Sequence, residues 1–104
     1  MVEEMESAGL TLHREGDSLV VRGDLDLFEA PRFRDAAEAY LHASPEPNLD
    51  MTGVPFVDSA GLATLLYLSR QAAKERKTLR IQIGRGPRRV LKITGIDRCL
   101  IVDD

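Results

Sequence analysis

Residues 48–84 read NLDMTGVPFVDSAGLATLLYLSRQAAKERKTLRIQIG, and the periodicity of this stretch decides the fold. NLDMTGV is short, apolar at Leu49 and Met51, and bounded by turn residues, which reads as a strand. From Gly61 to about Arg76, Leu62, Leu65, Leu66, Ser69 and Ala72 or Ala73 recur at helical spacing. Lys74 and Arg76 stand near the helix end, where cations complement the dipole. TLRIQIG then alternates Leu79, Ile81 and Ile83 against Arg80 and Gln82, a second strand. Strands joined by a single helix imply an α/β sheet with right-handed crossovers.

The flanks extend the pattern. LTLHRE (10–15) and SLVVRGDL (18–25) surround the turn Glu15-Gly16-Asp17 and predict an antiparallel hairpin, which makes the sheet mixed. Phe33, Ala36, Ala37, Tyr40 and Leu41 mark one face of a helix from about Ala30 to Ala43, with Pro31 in its first turn and SPEP ending it. Downstream, GPRRVLKITG predicts a short helix that starts near Pro87, turns Val90, Leu91 and Ile93 inward and stops at Gly95. CLIV (99–102) is a brief fifth strand or an extended tail. The expectation is one α/β domain over 10–104, a mixed sheet of four to five strands with helices packed on it, behind a flexible acidic tail at 1–9.

A chain of 104 residues with 43% hydrophobic and 30% charged residues has the composition of one globular domain. A net charge of -3 gives no electrostatic case for nucleic acid or an anionic membrane surface. No run approaches the roughly 18 apolar residues of a membrane span, so membrane insertion is not expected. The single Cys99 forms no internal disulfide, and the first residues are acidic where a signal peptide is basic and then apolar, so the expected location is cytoplasmic.

Enzymatic chemistry finds little support in these residues. A nucleophile elbow places a small residue two before the serine, and Val57 stands there before Ser59. The two histidines, His13 and His42, fall in a polar strand row and at a helix end. One Cys and two isolated His give no metal-ligand pair, so no metal and no cofactor are expected. GRGPRR (84–89) lacks both phosphate-loop signatures, although Arg85, Arg88 and Arg89 beside helix amides make it the most anion-facing patch. The DSAG corner (58–61) differs. Asp58 and Ser59 both suit an N-cap where one is enough, and Gly61 in the first turn lowers helix propensity by about 1 kcal/mol against Ala.

Three motifs in order, Gly23-Asp24-Leu25-Asp26, Asp58-Ser59-Ala60-Gly61-Leu62 and Leu91-Lys92-Ile93-Thr94-Gly95-Ile96, resemble those of STAS domains, most closely the bacterial anti-sigma factor antagonists. The resemblance spans about residues 10–102 and implies the STAS strand order. It implies a non-enzymatic partner switch: an anti-sigma factor with serine kinase activity binds when Ser59 is unphosphorylated and releases when it is phosphorylated, controlling sigma-factor-dependent transcription. On that reading Ser59 is the phosphorylation site, and Asp26, Asp58, Ser59, Ala60 and Gly61 form the partner-binding surface. Ala60 departs from the Ser or Thr common at that position and removes a second acceptor hydroxyl. The alternative is a STAS subunit of a lipid-transport ABC assembly that docks through the same corner without phosphorylation.

Overall fold

The computed structural model describes residues 4–6, 9–99 and 101–103. Strands β1 (Glu4–Glu6), β2 (Leu10–Glu15), β3 (Ser18–Gly23), β4 (Asn48–Gly53), β5 (Arg80–Ile83) and β6 (Ile101–Asp103) lie side by side in chain order in one sheet. β1, β2 and β3 pair antiparallel, and β3 through β6 pair parallel. Helix α1 (Ala30–Ala43) joins β3 to β4, α2 (Ser59–Lys74) joins β4 to β5, and α3 (Arg85–Thr94) leads through a 3-10 turn (Ile96–Cys99) to β6. Crossovers of one hand between successive neighbours place the helices on one face of the sheet.

The hairpin forms as the sequence predicts. Glu15 pairs with Ser18, and Gly16 takes a φ of 61°, the left-handed conformation that a two-residue turn demands. Strand alternation then sorts the two faces. Leu10, Leu12, Leu19, Val21, Leu49, Met51, Ile81 and Ile83 are buried beneath the helices, while Thr11, His13, Asn48, Asp50 and Gln82 alternate with them on the opposite face. From the helices, Phe33, Ala36, Ala37, Tyr40, Leu41, Leu62, Leu65, Leu68 and Ala72 complete the core. The Tyr40 hydroxyl donates to the Asp17 carbonyl and accepts the Asn48 amide, so the ring is buried with its polar end satisfied.

The fold class is the one expected, with several local differences. Glu4–Glu6 pairs with His13, Leu12 and Thr11 as an edge strand, where a tail was expected over 1–9. Backbone pairing needs no apolar pattern, which is why an acidic segment gave no signal. Residues 1–3, 7 and 8 of that segment lie outside the described residues, as does residue 100 of the CLIV run. In α2 Leu68 is fully buried together with Leu65, and Leu66 is half-buried, because the helix presents a slightly rotated face to the sheet. In α3 only Pro87 and Leu91 are buried, and Ile93 is 78% exposed rather than turned inward. Gly95 stops α3 as expected, at a φ of 81°.

Candidate functional site

Because β3, β4 and β5 are parallel, the segments that follow them emerge at one end of the sheet. The first two are stitched together. Leu25 and Val57 form an isolated parallel bridge, with the Leu25 amide donating to Phe56 O at 3.0 Å and the Asp58 amide to Leu25 O at 3.1 Å. Both bridge residues are buried, so this end of the core is closed beneath the loops.

Asp58 uses both carboxylate oxygens. Oδ1 accepts the Gly61 amide at 3.0 Å and caps α2, and Oδ2 accepts the Leu27 amide at 2.9 Å, reaching across to the neighbouring loop. The cap is therefore Asp58. Ser59 is the first residue of α2 and exposed, and no capping duty holds its hydroxyl. Its position beside unpaired helix amides suits an anion.

Asp26 is half-buried and tied to its own loop: Oδ1 accepts the amides of Phe28 and Glu29 at 3.0 Å each, and its carbonyl accepts Glu29 and Ala30. It nucleates the turn into α1. The structure thus brings Asp26, Asp58, Ser59 and Ala60 to one corner, with Asp58 joining the two loops. Gly61 has a different place. It is buried, and a Cβ there would meet Leu25 O and Val57 Cγ1 at 2.8 Å and Leu25 Cγ at 2.9 Å. The glycine is selected by the internal bridge beneath the corner, a long-range contact that no local reading of the sequence contains.

Sequence reasoning missed the apolar side chains around this corner. Leu27 is 66% exposed, Phe28 88% and Phe56 52%. A signal existed: Leu27 and Phe28 are consecutive and precede the helical stripe that begins at Phe33, so the stripe cannot bury both. Two further surfaces lie nearby. At the start of α3, Arg85 and Arg89 are exposed, and Arg88 donates to Ile83 O at 3.3 Å. Between α1 and α2 an open groove of about 420 Å³ is lined by Arg34, Asp35, Glu38, Ala63, Thr64 and Tyr67. There the Tyr67 hydroxyl donates to Glu38, and this bond to a carboxylate holds the phenol above its ordinary pKa.

No helix among the described residues is long and apolar enough to cross a membrane. The family model described as "Mlab, STAS domain" matches residues 8–103. Among solved structures, an anti-sigma factor antagonist from Mycobacterium paratuberculosis is similar at a TM-score of 0.74 and 23% identity, over 94% of this chain and 89% of that one. Protein TM1081 of Thermotoga maritima is similar at 0.74 and 17% identity, over 89% and 84%. The anti-sigma factor antagonist SpoIIAA in its unphosphorylated form follows at 0.68 and 17% identity, over 92% and 88%. At these identities the likeness of structures carries the fold.

Proposed function

Because the chain belongs to the STAS domain family, we propose that it is an anti-sigma factor antagonist that binds its anti-sigma factor through the Ser59 corner and is released when that kinase phosphorylates Ser59. The observation that carries this reading is the division of labour at the start of α2. Asp58 alone caps the helix and locks the two loops, so Ser59 stands exposed on a rigid frame with no structural duty. Two of the similar structures are antagonists of anti-sigma factors, and one is distinguished as an unphosphorylated form, which supports the same reading. The domain acts by binding. Its titratable residues at this corner, Asp26 and Asp58, are engaged by backbone amides rather than aimed at a reacting group.

A phosphoryl group would add about -1.5 to -2 charges and the bulk of a tetrahedral group at the first turn of α2. The helix amides tolerate the anion, and a partner surface in close contact does not. The test uses purified kinase-type anti-sigma factors of the same genome with ATP, read by mass spectrometry and calorimetry. The expected result is one phosphate on Ser59, tight binding of Ser59→Ala, and affinity at least about tenfold weaker for Ser59→Asp. Phosphate at another residue, or equal affinity for wild type and Ser59→Asp, overturns the switch. That outcome points to the second reading, a STAS subunit of a lipid-transport ABC assembly docked without phosphorylation.

A further inference from the structure

We propose that Leu27, Phe28 and Phe56 form an apolar anchor that enters a pocket on the partner protein, and that this anchor operates independently of the state of Ser59. The inference rests on the reading of the Ser59 corner as a partner-binding site. It begins with the exposures, 66%, 88% and 52%, which leave two aromatic rings and a leucine in solvent on adjoining loops. An exposed apolar cluster of this kind marks an interaction surface more often than isolated exposed residues do. The backbone that carries these side chains is held in place. The Phe28 amide is bound by Asp26 Oδ1, the Leu27 amide by Asp58 Oδ2, and the Phe56 carbonyl by the Leu25 amide. Leu25 and Val57, next to them in sequence, already fill the core, so the three cannot turn inward without displacing buried residues.

The surroundings select the occupant. The groove between α1 and α2 and the hollow beside Arg14 and Ser44 are lined by other side chains, and the cluster itself projects outward, which suits a concave partner. Residues 23–31 and 53–61 together contain Asp24, Asp26, Glu29 and Asp58 and not one Lys or Arg. Even with Glu29 paired to Arg32, the balance of these two loops is acidic, which disfavours anionic lipid headgroups and sets like charge against like in a two-fold contact between copies. Such a surface suits a protein pocket with an apolar floor and a basic rim. Aromatic side chains bury about 150–250 Å² each and are enriched among residues that dominate binding.

The experiment measures affinity by calorimetry for a purified kinase-type anti-sigma factor of the same genome. Phe28→Ala is expected to weaken binding about 30-fold or more at unchanged melting temperature, and by the same factor in a Ser59→Asp background. Ile93→Ala, at the similarly exposed Ile93 of α3, is expected to bind as wild type does. A Phe28→Ala affinity within about threefold of wild type, or an equal loss in Ile93→Ala, overturns the anchor. A wild-type protein that binds and is phosphorylated while Phe28→Ala is unaffected removes the anchor alone. No binding or phosphorylation by any such kinase removes the underlying reading and the anchor with it. Loss in Phe28→Ala of binding to phosphatidylglycerol vesicles, or of a dimer seen by ultracentrifugation, assigns the patch to another occupant and overturns the proposal.

Discussion

Gly61 is conspicuous in the sequence, and the structure supplies a reason for it inside the chain. Its unfavourable place in a helix signals close approach, and the natural expectation is approach by a partner. The actual neighbour is the chain's own Leu25, whose carbonyl would lie 2.8 Å from a Cβ at residue 61. Backbone cannot yield as a flexible side chain can, so Gly61→Ala must part the two loops or tilt the start of α2. It is expected to destabilise the domain by about 1 to 3 kcal/mol, as overpacking does, measured by urea denaturation. Any loss of partner binding in that variant then follows from a displaced corner. An unchanged midpoint would return the glycine to the surface role. Asp26 carries a related lesson. Its bonds to Phe28 and Glu29 make it a turn residue, and it can still govern binding by fixing where Phe28 points.

At the scale of elements, most of the fold was legible because burial imposes a period. The stripe Phe33, Ala36, Ala37, Tyr40 and Leu41 marked α1 and its buried face, and the alternation in 10–15 and 80–83 marked β2 and β5. What escaped depends on partners distant in sequence: the pairing of Glu4–Glu6, the rotation that buries Leu68, and the bridge Leu25 to Val57. The C-terminal ends of α1 and α2 are joined by another such contact. Lys77 Nζ donates to the carbonyls of Leu41 and His42 at 2.8 and 3.1 Å and pairs with Glu75, which also meets His42. The Lys77 hydrogen bond holds the Glu75 carboxyl below its ordinary pKa, desolvation opposes this, and His42 adds to the lowering. A depressed carboxylate pKa contributes stability that is present above the unfolded-state value and lost as pH falls through the folded one. The melting temperature of wild type should therefore exceed that of Glu75→Gln at neutral pH, and the gap should close as pH falls below the ordinary carboxylate range. A gap independent of pH would show that Glu75 acts through packing.

For the whole molecule, core and corner are arranged so that the corner can change without the fold. The core lies between one face of the sheet and the helices, where Phe33, Leu65 and Leu68 are inaccessible to solvent. Ser59 sits outside it, attached through α2 and through loops whose hydrogen bonds run to Asp58, Asp26 and backbone groups. Negative charge at the first residue of a helix is favoured by about 0.3 to 1 kcal/mol, and Asp58 beside it opposes this by a comparable amount. The two effects nearly cancel. Ser59→Asp is accordingly expected to keep native circular dichroism and a melting temperature within about 5 °C of wild type. Phe33→Ala, which empties a ring-sized space among α1, α2 and the sheet, is expected to lose about 3 to 5 kcal/mol. Backbone chemical shifts supply the finer measurement: in Ser59→Asp they should move in residues 24–29 and 54–63 and stay fixed in β2, β5 and the C-terminal half of α1. Shifts spread through the sheet would mean that charge at Ser59 reorganises the core, and partner release would then be a change of fold rather than a change of surface.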